Sequence, residues 1–134
     1  MTLRNLFIFN TVINLLFGVP LVLAPKLLVD MYFVDPSQAT AALLVVARAY
    51  GSLIFGLGVA LWSARNAQAS LGRRAILQMV VVANAIVAAI YTYAVLTNVY
   101  NSMGWSIVAI NVTLAAWGGS PGNTMSPGKT QKIG

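Results

Sequence analysis

Arg48 is the most demanding residue in this sequence. It stands in LLVVARAYGSLIFGLG, positions 43–58, with no other charge in the stretch. A guanidinium carries five N–H donors and no acceptor. At the centre of a bilayer it costs about 2.5 kcal/mol or more unless acceptors surround it. The other apolar segments each place one strongly polar side chain at a similar depth: Asn14, Asn84 and Asn111. Counted from the outer end for Arg48 and Asn111, from the inner end for Asn84 and from the start of the first segment for Asn14, all four fall about nine or ten residues in, close to mid-bilayer for a span of about 20 residues. This shared depth predicts an intramembrane polar site in which Arg48 points into the bundle and meets the carbonyls of Asn14, Asn84 or Asn111. Asn10, Thr11, Ser52, Gln78 and Ser106 add weaker polarity around it. Three readings stay open: a structural network, an anion or ligand site built on Arg48, and contact with a partner subunit.

Little else in the chain can do chemistry. Histidine and cysteine are absent, and Asp30 and Asp35 are the only acids. These absences remove disulfides, thiol nucleophiles, His- or Cys-ligated haem and the usual zinc ligand sets. Neither acid lies inside an apolar segment, so no carboxylate pair is available there for acid–base work. Ser63, Ser70 and Ser102 have no base nearby in sequence, and the glycine-rich GSLIFGLG has no phosphate-loop pattern. The expectation is a protein that is not an enzyme, with no catalytic, cofactor-binding or metal-binding residue and no cofactor.

The elements carrying these residues are read from composition. Of the 134 residues 59% are hydrophobic and 7% charged, against about 25% charged in soluble domains. Most of the surface must therefore face something other than water. Four apolar segments run over about 5–24, 40–62, 75–96 and 102–118. Abundant alanine and no two-residue alternation argue for helices rather than strands. The fold class expected is all-α, an integral membrane four-helix bundle over residues 1–118. Pro20 and Pro25 end the first span, and PKLLVDMYF forms a short interfacial helix with a Lys26–Asp30 pair. Residues 119–134, rich in Gly, Ser and Pro, read as a flexible tail.

The net charge of +6 does not point to nucleic acid, because the basic residues mostly flank apolar segments. Arg4, Arg65, Arg73, Arg74, Lys129 and Lys132 fall on one side and Lys26 on the other. The positive-inside rule then puts both termini in the cytoplasm. Trp62, Trp105 and Trp117, with Tyr32, Tyr93 and Tyr100, suit an interfacial belt. On the second span Ser52, Gly56 and Ala60 form a small-residue ladder below Arg48, and Gly51 and Gly58 add close-approach points. That spacing predicts tight helix packing.

Asn14, Gly18, Pro20 and Pro25, followed by Arg48-x-x-Gly51-x-x-x-x-Gly56-x-Gly58, resemble small four-helix bacterial membrane proteins catalogued as a domain of unknown function. The resemblance spans about residues 5–117. It implies a four-helix inner-membrane domain with Arg48 and Gly51 at its centre, and it implies no activity. The function expected is that of an accessory or scaffolding subunit. Its partners would be the lipid bilayer and either a larger membrane complex or a second copy of itself. The alternative is a small oligomeric transporter or channel that uses Arg48 to attract an anionic or polar solute.

Overall fold

The computed structural model describes residues 2–120. Its described part is all-α: α1 (Leu3–Leu23), α2 (Pro25–Tyr32), α3 (Ala41–Ala64), α4 (Leu71–Leu96) and α5 (Gly104–Gly118), with a 3-10 turn at Pro36–Gln38. Each long helix begins where a hydroxyl can cap it. Thr2, Thr40 and Ser70 accept from the backbone N–H of Asn5, Leu43 and Arg73, satisfying donors the first turn would leave unpaired. The Ser70 cap starts α4 ahead of the apolar run at Ala75. Pro20 does not break α1, which runs on until Ala24 N–H closes it on Pro20 O at 2.7 Å. Pro25 then opens α2, where its missing N–H costs nothing. Asn98 ends α4 in the left-handed region, φ 56, a conformation asparagine tolerates.

Three helices, α1, α3 and α4, are long and apolar enough to cross a membrane. The fourth expected span is the shorter α5, whose 15 residues rise about 22 Å against a hydrocarbon core of about 30 Å. With α2 there are five α-helices among the described residues rather than four. In α3 only 11% of the most apolar stretch is buried inside the protein, so its remaining apolar surface is left for lipid or a partner. The tail expected at 119–134 lies, beyond Ser120, outside the described residues.

The three long helices and α5 pack as two antiparallel pairs, α1 with α3 and α4 with α5, joined through α1 and α5. Helices α3 and α4 hardly touch. Away from α2 all four converge on a core of Leu6, Phe7, Leu61, Ala64, Leu77, Val80 and Leu114. At the α2 end a strap ties the two pairs. Phe33 and Tyr100 form an antiparallel bridge, Val34 N–H donates to Val99 O, and Asn101 N–H donates to Tyr32 O at 2.8 Å. Asn101 Nδ2 adds a bond to Met31 O at 2.8 Å.

Close approach in the first pair rests on glycine. A Cβ at Gly51 would come within 2.6 Å of Leu21 Cβ and 3.0 Å of Val22 N, and one at Gly18 within 3.1 Å of Phe55 N. Gly58 faces Asn14, and Thr11 Oγ1 donates to Gly58 O at 3.2 Å. Lipid removes the hydrophobic drive between helices, so such backbone approach and polar contacts hold them.

Candidate functional site

The contacts of Gly51 and Gly58 fix the stagger of α1 against α3, and with it the depth of Arg48. Gly51 is opposite Leu21 and Val22, whereas Gly58 is opposite Asn14. Asn14 therefore lies about 15 Å along the helix axis from Arg48. Arg48, three residues before Gly51, is therefore level with the end of α1. Its side chain is exposed. Among the described residues its guanidinium has no hydrogen bond or ion pair; only its carbonyl is used, by Ser52 Oγ at 3.0 Å. The expected meeting of Arg48 with Asn14, Asn84 or Asn111 is thus not made. The apolar runs were the right segments, but their lengths carry no stagger, and α3 begins well beyond the end of α1. From this level a long side chain reaches the interface, which removes most of the cost of a mid-bilayer charge.

The asparagines separate likewise. Asn14 Nδ2 donates to Asn10 Oδ1 at 2.8 Å. Asn84 is buried and donates to Val80 O at 2.7 Å. Asn111 donates to Ile107 O at 2.8 Å. All three bonds turn back onto the donor's own helix, the last two onto its backbone. Asn14 and Asn111 do come together, lining one small cavity of about 60 Å³ with Tyr50 and Tyr91. Asn84 stands about one turn further from the α2 end, since Gly118 packs beside Leu77 and Val81, and Gly104 beside Val95.

The small residues also divide otherwise than the ladder implied. Gly51 and Gly58, seven apart, face α1. Ser52 and Gly56 are exposed, Ala60 is half-buried, and a Cβ at Gly56 would meet nothing within 4 Å. The complementary glycine on α1, Gly18, selects the first pair.

Above Asn14 and Asn111 the space between α3 and α4 widens into a lateral cleft. Its two main lobes measure about 200 Å³ and 450 Å³. Phe17, Phe33, Tyr50, Tyr91 and Tyr100 line it, with Leu43 and Val87. Tyr32 and Tyr100 turn inward rather than joining an interfacial belt. Tyr32 packs on Phe17 and Tyr100, and Tyr91 meets Tyr100 edge-on with centroids 5.2 Å apart. Tyr93, Trp62 and Trp105 stay exposed. Burial pushes the Tyr100 phenol, in the connection between α4 and α5, above its ordinary pKa, so it is a neutral hydrogen-bonding group at neutral pH. Arg48 does not line the cleft: Tyr50, two residues on, is about 200° round the helix.

Sequence reasoning missed the depth of Asn10. It is 2% exposed and its Nδ2 has no partner among the described residues. The signal was its i,i+4 spacing to Asn14. It also missed the cleft, which follows from two helices failing to pack. Among the described residues no group of acidic, histidine or cysteine side chains can hold a metal ion. No family model matches the chain, and no curated protein or solved structure matches it either. The fold and the apolar helices mark it as a multi-span helical membrane protein.

Proposed function

We propose that this chain is a non-catalytic accessory or scaffolding subunit that lends the outward flank of α3 to a larger membrane assembly. We place it in a bacterial inner membrane, with both ends of the helical unit cytoplasmic, and keep the kinship with small four-helix bacterial proteins suggested by Arg48-x-x-Gly51. One observation carries the reading. Arg48, Ser52 and Gly56 lie exposed on the face of α3 turned away from α4, next to a groove of about 290 Å³ bordered by Val19, Val22, Leu23, Ser52 and Phe55. A small-residue stripe lets a second helix approach its backbone closely, and an unpaired guanidinium beside it offers five donors to a partner's carbonyls or carboxylates. The same placement argues against a solute path through Arg48, because that residue stands on the outside of the bundle.

The test is gentle extraction and affinity purification through a tag after Gly134, with quantitation of co-purifying membrane proteins. Stoichiometric recovery of one larger membrane complex, lost in Gly56→Leu and weakened in Arg48→Gln, is expected. A solitary protein whose reconstituted vesicles pass an anionic solute, and stop doing so in Arg48→Gln, would refute it.

A further inference from the structure

We propose that the cleft between α3 and α4 is a binding site for a single lipid-soluble phenol or alcohol, which enters sideways from the bilayer. This is independent of the role of α3's outward flank, because the cleft opens on the other side of that helix.

The size fits. About 150 Å³ of apolar cavity is enough to hold benzene, and the two main lobes measure about 200 Å³ and 450 Å³. The walls fit a flat body: Phe17, Tyr50, Tyr91 and Tyr100 present rings, which prefer offset or edge contacts with another ring. Access fits too, since α3 and α4 hardly touch.

The floor defines the chemistry. Asn111 lines the cavity of about 60 Å³ there, which shares Phe17, Tyr50, Tyr91 and Ile107 with the lobe of about 200 Å³, and its amide orientation is fixed because Ile107 O can only accept. Nδ2 must face that carbonyl, which leaves Oδ1 as an acceptor. Asn14 lines the same floor with its Nδ2 held by Asn10 Oδ1 at 2.8 Å, which leaves a second Oδ1. Neither oxygen receives a hydrogen bond from the described residues. Two acceptors at one depth in an apolar setting are costly to leave unmet. A hydroxyl-bearing occupant supplies the missing donor, whereas an acyl chain cannot. Asn10, fully buried, is the other half of the Asn14 bond.

The experiment uses the full chain in lipid nanodiscs, with empty nanodiscs as the reference. The probes are 2-naphthol and naphthalene, which share a ring system and differ by one hydroxyl. Binding is read by equilibrium dialysis and naphthol fluorescence anisotropy. Saturable uptake of one 2-naphthol per chain is expected, with affinity about two- to tenfold above that of naphthalene, the factor one hydrogen bond supplies. Asn111→Leu should reduce the preference for 2-naphthol, the Asn14→Leu/Asn111→Leu double variant should bring it to the naphthalene level, and Val87→Trp, which fills the floor, should abolish saturable binding of both. Circular dichroism melts establish that each variant is folded; Asn14→Leu replaces Asn111→Leu if the latter is not. Equal affinity for the two probes, or only unsaturable partitioning as in empty discs, would make the cleft an acyl-chain groove and overturn the proposal.

Discussion

Replacing Gly51 by alanine separates the two packing ladders of α3. The added methyl would sit 2.6 Å from Leu21 Cβ, 3.0 Å from Val22 N and 3.1 Å from Gly18 O. Two of those three atoms are backbone, and the third is the first atom of its side chain, so no rotamer change relieves the clash. The helices must separate, which also stretches the 3.2 Å bond from Thr11 to Gly58 O. Overpacking of this kind costs about 1–3 kcal/mol, and the backbone contacts put Gly51→Ala near the upper end. Gly56→Ala is the control on the same helix. Its methyl meets nothing within 4 Å, so the change should stay within about 0.5 kcal/mol. Reversible unfolding of monomeric protein in mixed micelles, followed by tryptophan fluorescence as the SDS fraction rises, compares the two. Equal losses, or a larger loss for Gly56→Ala, would refute the assignment of the α1 contact to Gly51 and Gly58.

Other outcomes follow from single contacts. Thr11→Val keeps the shape and removes the bond to Gly58 O; the same unfolding assay should show a loss of about 0.6–1.7 kcal/mol. Asn101→Ala removes the bond to Met31 O and the cap on Met103 N, so hydrogen exchange should quicken at Val34 and Asn101 and not in the core at Leu61 and Leu77. The Asp35 carboxylate accepts from Ser37 Oγ and Ser37 N, which hold its pKa below the usual value near 3.9. The folded state therefore gains its small advantage above the unfolded pKa and loses it as pH falls through the lower folded value. NMR titration should find the Asp35 midpoint below 3.9 and moving up in Ser37→Ala; an unchanged midpoint would contradict the cap. Lys26→Met breaks an exposed i,i+4 pair and should cost less than about 0.5 kcal/mol in the unfolding assay.

The helices were legible in the sequence because lipid-facing segments are apolar on every side, and such runs cannot be hidden by composition. α1, α3 and α4 fall within a few residues of their apolar runs, and their actual starts follow Thr2, Thr40 and Ser70. Stagger was not legible. Nothing in the length of two apolar runs says that Gly51 meets Leu21 or that Gly58 meets Asn14. Counting depth from segment ends therefore put Arg48 and Asn14 at one level when they lie about 15 Å apart. Face choice on α3 was half legible. Gly51 and Gly58 compete with Ser52, Gly56 and Ala60, and the choice is made by Gly18 on another helix. Asn14 and Asn111 were singled out for their polarity and do line one cavity, at the floor of a cleft that no local pattern encodes.

The most direct measurement is the depth of position 48. The chain has no cysteine, so single cysteines at 14, 23 and 48 can each carry a spin label, and power saturation in bilayers against oxygen and a nickel chelate ranks their depths. The account predicts that the label at 48 lies at the depth of the label at 23, shallower than that at 14, with free access to lipid-dissolved oxygen. A label at 48 as deep as that at 14 and shielded from oxygen would contradict it and restore the buried polar layer around Arg48.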